Sequence, residues 1–559
     1  MKKQKPITRS SKKNQIDKKI NIFENKQLIY ILLAIAVLFV FYIRMRLLSF
    51  PFERDEGEYA YMGKLILDGH LPYTLAYNMK FPGTYFMYAL FMMLFGKSIV
   101  GVHLGVAVMT SVSMLLLFLI AKRFVSGIGA VIASATFGIV GTSSFLLAQA
   151  AHATHFVVFF ALLGTFMTFK IYDTENKRIL KYFFSGVFFS LAFISKQSGV
   201  FFVIFGAFVI ILKEIDFKHI TKLLRSLSIF SAGFISAFLL MLACFYFFGD
   251  FDKFWFWTVK YLSKYGGQVP ISQAYGSFKI GISSITAGYS TFGYIALWVI
   301  ALIGIVLIFV KKVSKQNMFL TFSFVLLSFL TVVPGFYFRN HYFITLLPAF
   351  GLLVALFFEF FNNVFINKFK MPNLIFISVL VYIVIIGKGI SANKDYLFIK
   401  DTKTLCKQVY GINPFVESIA IADFLKQNTT KDDKIAVLGS EPQICFYADR
   451  YSATGYIYTY NLVEVHSYAL SMQKEMIKEI ERNKPKYFLF INVSLSWLTR
   501  PKSEKLIFKW ANEYITKYYK IAGLVDVFPN IISPIISGEQ LNTYVPQSKE
   551  LVYIFERIK

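Results

Sequence analysis

The segment Phe52-Glu53-Arg54-Asp55-Glu56-Gly57-Glu58-Tyr59 directly follows the first hydrophobic stretch of the chain. Three acids fall within four of its positions, at Asp55, Glu56 and Glu58. Ionisable groups at a membrane edge are costly to desolvate, so a cluster of them there indicates a functional site. The alternative is a solvated connecting loop without special chemistry.

The composition indicates a polytopic α-helical membrane protein. Of the 559 residues, 56% are hydrophobic and 16% are charged, which is more apolar surface than a soluble domain of this size needs. The formal charge is +27. The basic residues stand in short stretches between hydrophobic segments, so the positive-inside bias and the anionic inner leaflet explain this charge better than nucleic-acid binding does. The three cysteines are scattered without CxxC spacing, which indicates neither a metal site nor a disulfide framework.

Hydropathy predicts about eleven membrane spans. The predicted spans are 28–48, 98–120, 127–147, 156–169, 180–194, 200–212, 229–248, 285–310, 319–338, 342–361 and 374–390. Residues 81–95 are too short to cross comfortably and begin at Pro82-Gly83, so we interpret them as an interfacial or half-inserted helix. With this count the Lys/Arg-rich loops all fall on the cytoplasmic side, as the positive-inside bias requires.

The same parity divides the chain into three regions. Residues 1–27 form a basic cytoplasmic tail, and residues 28–390 form a multi-pass domain in the cell (inner) membrane with a first outer loop at 49–97. Residues 391–559 are less hydropathic and predict an extracytoplasmic α/β domain. Its predicted helices are 415–426 and 464–482, and its predicted strands are 434–439, 487–491 and 551–555.

Three isolated cations on the predicted outer side depart from the positive-inside bias, namely Lys80, Lys196 and Arg339. For any single one, snorkelling to lipid headgroups is an alternative. Cations that converge on an acid-bearing loop indicate an anionic ligand, most simply a phosphate at the membrane surface. We therefore predict that these three side chains bind a phosphate.

A carboxylate beside such a phosphate has a chemical use. It can take a proton from an attacking hydroxyl or amine, or it can hold a metal ion. Asp55 is the first candidate because it opens the helical part of the loop. Glu56 is either its catalytic partner or the partner of a local ion pair with Arg54.

Other polar side chains at the predicted outer ends are candidates for binding. His152 and His155 are weak candidates for a metal site, the alternative being polar residues satisfied at the end of a span. Tyrosines of the first loop can stack on a sugar or form a membrane-interface belt. The candidate substrate-binding residues are Tyr59, Tyr85, Gln197, His341 and Tyr342.

Several motifs of this sequence resemble those of a known family. The motifs are Arg54-Asp55-Glu56-Gly57-Glu58-Tyr59-Ala60-Tyr61-Met62, Gly69-His70-Leu71-Pro72-Tyr73, Lys80-Phe81-Pro82-Gly83-Thr84-Tyr85, Leu94-Phe95-Gly96, Ser195-Lys196-Gln197 and Arg339-Asn340-His341-Tyr342. They resemble GT-C membrane glycosyltransferases. The resemblance is closest to the bacterial branch of glycosyltransferase family 39, which is related to protein O-mannosyltransferases and lipid A aminoarabinose transferases.

The resemblance implies a GT-C fold and an inverting enzyme that uses a polyprenyl-phosphate-linked sugar as donor. The acid matching Asp55 would be the base or the acceptor-orienting group, and Lys80, Lys196 and Arg339 would contact the donor phosphate. The acceptor stays open between lipid, protein and glycan. No cofactor is implied with certainty, and a divalent metal ion stays possible.

The sequence departs from the family pattern at one place, and one alternative function stays open. Relatives often carry an acid near the outer start of the fourth span, where this chain has Ala151-His152-Ala153-Thr154-His155. In a two-acid or metal-assisted scheme, His152 or His155 would replace that acid, or Glu56 would suffice. The alternative function is a non-enzymatic binder or flippase of lipid-linked sugars, but a transporter is expected to carry polar groups near the bilayer midplane.

Overall fold

The computed structural model describes residues 25–173, 177–216, 218–287, 292–310, 314–367 and 374–558. Most of the predicted cytoplasmic tail at 1–27 lies outside the described residues, as do the basic loop residues at 311–312, 368 and 370.

The chain is a multi-pass helical membrane protein. In the described residues, seven helices are long and apolar enough to cross a membrane, and five shorter apolar helices accompany them. Setting aside one of the shorter five, Gly83–Phe95, these helices match the eleven predicted spans. The membrane helices are α1 (Lys26–Arg46), α4 (Ile99–Ala121), α5 (Gly127–Val140), α6 (Ala153–Asp173), α7 (Arg178–Ser195), α8 (Val200–Glu214), α9 (Ile220–Phe248), α13 (Phe292–Val310), α14 (Lys315–Leu330), α15 (Leu347–Asn367) and α16 (Leu374–Ala392).

Further helices lie between the membrane helices. Between α1 and α4, the first loop folds into α2 (Arg54–Leu67) and α3 (Gly83–Phe95). Between α9 and α13 lie α10 (Phe251–Trp255), a π-helical turn (Phe256–Tyr261), α11 (Leu262–Tyr265) and α12 (Ile271–Ala287). A 3₁₀ segment, Asn340–Leu346, leads into α15.

Helix α2 begins at a capping box. The Glu53 carboxylate accepts a hydrogen bond from the Glu56 amide at 3.0 Å, and the Glu56 carboxylate accepts one from the Glu53 amide at 3.4 Å. This reciprocal pair satisfies two amide groups that an uncapped helix start leaves free. The box fixes where the helix starts, so it also places Asp55 in the first turn.

The C-terminal region forms an α/β domain around a five-stranded sheet. The strand order is β1-β2-β5-β3-β4; β1 and β2 are parallel and the other pairs are antiparallel. The strands are β1 (Ile435–Leu438), β2 (Tyr487–Asn492), β3 (Tyr519–Asp526), β4 (Ile536–Ser537) and β5 (Leu551–Arg557). The helices are α17 (Thr402–Tyr410), α18 (Glu417–Asn428), α19 (Gln443–Ala448), α20 (Tyr460–Val463), α21 (Ala469–Asn483), α22 (Ser494–Trp497) and α23 (Leu506–Tyr518), preceded by a π-helical turn at Asp395–Ile399.

The three predicted strands and both predicted helices of this domain are confirmed, whereas β3 and β4 were not predicted. β3 starts directly after α23, without a turn residue between them, and it contains Gly523 next to a bulge. β4 is only two residues long. Neither strand therefore has the turn signals and regular alternation that sequence prediction relies on.

The α/β domain packs directly on the first loop. Buried side chains of α2, such as Tyr59, belong to the same hydrophobic core as Ile435 of β1 and Phe446 of α19. At Gly57 the approach is so close that a Cβ atom would lie 2.6 Å from the Gln443 backbone nitrogen. The acid-bearing helix is thus held between the membrane helices and the sheet domain.

Candidate active site

A cavity lies where the first loop, the membrane helices and the α/β domain meet. It brings together the predicted acid Asp55 and the predicted cations Lys80, Lys196 and Arg339, which come from distant parts of the chain. Its lining residues are Asp55, Tyr59, Asn78, Met79, Lys80, Ala153, Lys196, Trp257, Tyr261, Tyr265, Arg339, His341, Tyr342, Tyr458, Tyr460, Asn461 and Glu464.

Asp55 projects into the cavity from the first turn of α2. Its Oδ1 lies 3.3 Å from Lys80 Nζ and accepts a hydrogen bond from the Tyr458 hydroxyl at 3.3 Å. Burial alone would raise the pKa of Asp55, but the neighbouring charges, Lys80 first, outweigh it and lower the pKa to about 2. The carboxylate is therefore ionised at neutral pH.

Lys80 joins two carboxylates. Its Nζ also lies 3.4 Å from Glu58 Oε2, and it stands 4.5 Å from the centroid of the Tyr59 ring. Burial lowers the pKa of Lys80, but Asp55 and Glu58 more than compensate and raise it. Burial raises the pKa of Glu58 to about 7 despite the Lys80 charge. Tyr85 donates to Glu58 Oε1 at 2.9 Å and lies outside the cavity lining.

Lys196 and Arg339 make their described contacts with aromatic rings. The Lys196 ammonium lies 3.5 Å from the centroid of the Tyr342 ring, and the Arg339 guanidinium 5.4 Å from that of Tyr337, which are cation–π distances. Burial first, and Lys80 second, lower the pKa of Lys196 to about 7. The two partly buried cations contact rings rather than carboxylates, so their protonated forms would stabilise an anion placed in the cavity.

Glu56 is fully buried and lies outside the cavity lining. Its Oε1 is 2.8 Å from His103 Nε2 and accepts a hydrogen bond from the Ala151 amide at 2.6 Å. Arg54 extends to Glu441 at 3.1 Å, so the local pair with Glu56 considered from the sequence is not the one that forms. The contacts of Glu56 hold the turn that precedes His152.

The histidines pair differently from the prediction. His152 stacks on His341, with ring centroids 4.0 Å apart and an interplanar angle of 14°. His155 instead points to the Ala148 carbonyl, 3.1 Å from Nε2. The predicted grouping of His152 with His155 fails because α6 starts at Ala153, so His152 precedes the helix and the two do not share a helical face. Burial lowers the pKa of His152 to about 4, so its ring is neutral at pH 7.

The remaining predicted substrate-binding residues divide between the cavity and its support. Tyr59, His341 and Tyr342 line the cavity. Gln197 lies outside the lining, where its amide donates to the Met79 carbonyl at 3.0 Å and ties the α7–α8 turn to the segment that carries Lys80.

Much of the cavity wall was missed by sequence reasoning. Tyr458, Tyr460, Asn461 and Glu464 come from the α/β domain, and Trp257, Tyr261 and Tyr265 come from the segment after α9. Trp257 and Tyr261 lie on the π-helical turn, a conformation often found at functional sites. The sequence held one signal, the alternating aromatic run Tyr456-Ile457-Tyr458-Thr459-Tyr460.

This fold is the GT-C fold, as comparison with solved structures shows. ArnT from Cupriavidus metallidurans in the apo state has a TM-score of 0.52 and 11% identity, covering 94% of this chain and 97% of that chain. The same protein bound to undecaprenyl phosphate has a TM-score of 0.50 and 12% identity, covering 95% and 98%. The oligosaccharyltransferase of Archaeoglobus fulgidus in the apo form has a TM-score of 0.54 and 12% identity, covering 92% and 75%.

Sequence comparison gives a narrower match. Residues 80–249 match the family model described as dolichyl-phosphate-mannose-protein mannosyltransferase. No curated protein sequence matches the chain. Together with the structural likeness, the family model confirms the predicted resemblance to GT-C membrane glycosyltransferases of the family 39 type.

Proposed function

We propose that this protein is a membrane glycosyltransferase that transfers a sugar from a polyprenyl-phosphate-linked donor to an extracytoplasmic acceptor. The observation that carries the proposal is the single cavity that holds an ionised carboxylate, Asp55, beside three cations. The match over 80–249 to a mannosyltransferase family and the likeness to ArnT, solved with undecaprenyl phosphate, support this choice of donor.

The cations would bind the donor phosphate. In the described part of the chain Lys196 and Arg339 form no ion pair with a carboxylate and contact aromatic rings instead, so they are the first contacts for the phosphate oxygens. As the bond between the anomeric carbon and the phosphate oxygen breaks, negative charge builds up on the leaving phosphate. Fixed cations in a buried site stabilise that charge more than water does.

Asp55 would accept the proton of the acceptor hydroxyl or amine while the acceptor oxygen or nitrogen attacks the anomeric carbon. Without a bound donor, the Asp55 carboxylate is a weak base because Lys80 Nζ lies 3.3 Å from it. A bound phosphate would share the charge of Lys80 and raise the pKa of Asp55 toward the value that general-base catalysis needs. The base would thus become effective only when the donor is present. Inversion at the anomeric carbon is what the family resemblance implies.

We place this cavity on the extracytoplasmic side of the cell membrane. Basic residues collect at the opposite ends of the membrane helices, as with Lys122 and Arg123 after α4 and Lys213 near the end of α8. The positive-inside bias assigns those ends to the cytoplasm. The membrane region at 28–390 would then carry the catalytic groups, and the domain at 391–559 would cover the site from outside and complete its wall.

The direct test is transfer by an Asp55→Asn variant reconstituted in lipid nanodiscs. Undecaprenyl-phosphate sugars carrying different hexoses and pentoses are supplied with membrane extract as the acceptor source, and release of undecaprenyl phosphate is measured. Loss of the base should lower turnover about 10²- to 10⁴-fold. Asp68→Asn is the matched control, because Asp68 is also in the first loop but pairs with Lys64 at 3.1 Å, outside the cavity lining. Near-normal transfer by the properly inserted Asp55→Asn protein would remove the proposed role.

A further inference from the structure

Three potential metal ligands meet at the edge of the cavity. Asp55, His152 and His341 each offer one ligand atom, and these atoms all lie within 4.8 Å of one another. Ligands about 2.0–2.2 Å from one ion are separated by at most about 4.4 Å. Side-chain movements of well under about 1 Å would therefore bring all three onto a common ion.

His152 lacks the partners that a buried imidazole normally has. The residue is 2% exposed, and in the described part of the chain neither ring nitrogen makes a hydrogen bond. Its closest carboxylate contact is from Nδ1 to Glu53 Oε1, at 3.7 Å. Polar atoms that are buried without a partner destabilise the folded protein. A ligand that occupies one of these nitrogens would offset that destabilisation.

The other two groups are open to the same space. His341 and Asp55 both line the cavity, and His341 is held in place by its stacking on His152. The described polar contacts of the Asp55 carboxylate, from Lys80 and Tyr458, both go to Oδ1. Oδ2 therefore has no described polar partner and can bind an ion while Oδ1 keeps its contacts.

We propose that Asp55, His152 and His341 form a binding site for a divalent transition-metal ion. Two imidazoles and one carboxylate suit Zn²⁺, Mn²⁺, Fe²⁺ or Co²⁺, whereas Mg²⁺ and Ca²⁺ prefer all-oxygen ligand sets. Three protein ligands leave coordination positions on the cavity side for water or for an oxygen of a bound molecule.

The surrounding charges predict how the affinity responds to an anion. Lys80, Lys196 and Arg339 line the same cavity and would repel the ion. An anion bound to these cations reduces the repulsion, so metal and anion should each increase the affinity for the other. This coupling concerns binding only. The metal site therefore does not depend on the proposed transfer reaction.

The test measures metal binding by the full-length protein in nanodiscs, after chelator treatment, by titration with Mn²⁺ and with Co²⁺. The wild type should bind one ion, with the absorption bands of Co²⁺ in a nitrogen- and oxygen-ligated site and without competition from millimolar Mg²⁺. Inorganic phosphate should tighten the binding several-fold. Binding that Mg²⁺ displaces, or the absence of one-to-one binding, would overturn the proposal.

Substitutions locate the ion. His152→Ala and His341→Ala should each weaken binding by at least about 100-fold, beyond the effect typical of losing an outer-shell partner. His155→Gln and His219→Ala are the controls, because His155 bonds a backbone carbonyl and the His219 side chain is 73% exposed. Unchanged binding in both alanine variants would refute the site. If those variants do not fold, a map of the wild type soaked with Mn²⁺ decides the matter: anomalous density between the three side chains supports the site, and none there refutes it.

Discussion

A buried ion pair joins the acid-bearing helix α2 to the α/β domain, and breaking it should loosen the candidate active site. Arg54 Nη2 lies 3.1 Å from Glu441 Oε1, and the Glu441 side chain is fully buried. The same guanidinium donates to the Ser440 carbonyl at 2.8 Å and to Asn413 Oδ1 at 3.0 Å. Arg54 directly precedes Asp55 in the sequence. Loss of the ion pair should therefore alter the position of Asp55 in the cavity.

The Glu441→Gln substitution keeps the side-chain shape and removes the charge. Removing one partner of a buried ion pair typically costs about 3–5 kcal/mol because the other charge stays buried and unpaired. Arg54 would keep its two other acceptors and its positions over the rings of Phe415 and Tyr460, 5.4 and 5.2 Å from their centroids. We therefore expect about 3 kcal/mol, which shifts the docking equilibrium of the domain about 100-fold.

Thermal unfolding and hydrogen–deuterium exchange in nanodiscs measure this loss. Exchange should increase in α2 and in residues 440–464, and the free energy of unfolding should fall. Glu556→Gln is the control. Its partner Lys520 is 62% exposed and Glu556 is 32% exposed, so this surface pair is worth less than about 1 kcal/mol. The double variant Arg54→Gln/Glu441→Gln should lose less than the sum of the single variants. Wild-type exchange and stability in Glu441→Gln would show that this ion pair does not hold the α/β domain against α2.

Three further predictions concern the charges of the cavity. Polyprenyl-phosphate binding should weaken about 5- to 10-fold as the pH rises from 6 to 9. Over this range Lys196, whose pKa is about 7, loses its proton, and Glu58, whose pKa is also about 7, gains a negative charge 3.4 Å from Lys80. Lys196→Arg should remove the Lys196 part of this dependence, and an equal dependence in that variant would contradict the prediction. Lys80→Met should abolish measurable donor binding. It should also raise the pKa of Asp55, which would be seen as a shift of the acidic limb in the pH profile of any residual activity. Unchanged donor binding would argue against a role of Lys80 in phosphate binding. Tyr458→Phe removes a 3.3 Å hydrogen bond to Asp55 and should lower kcat about 10-fold, and an unaltered kcat would show that this contact is dispensable.

The sequence was sufficient to predict the membrane helices and the grouping of Lys80, Lys196 and Arg339 with Asp55. Hydropathy defined the spans because a membrane helix must be apolar along its whole length. The positive-inside bias then made Lys80, Lys196 and Arg339 exceptions, and the structure brings these three exceptions into one cavity. The order of spans and charged loops along the sequence predicted which residues lie close together, because the membrane fixes which helix ends lie on the same side.

The parts that escaped prediction depend on contacts between distant segments. Tyr458 reaches Asp55 across 403 positions of the chain, and no spacing rule links them. The candidate pairing of His152 with His155 was wrong for a related reason. The ring of His152 stacks on His341, which comes from another element, rather than contacting its near neighbour His155. The π-helical turn that carries Trp257 has no established sequence signature.

The most direct test of the proposed phosphate site is the position of a bound polyprenyl phosphate in a cryo-electron microscopy structure of the protein in nanodiscs. We expect phosphate density within hydrogen-bonding distance of Lys196 and Arg339, with Lys80 and Asp55 beside it. A phosphate bound elsewhere on the protein, with this cavity left empty, would contradict this expectation.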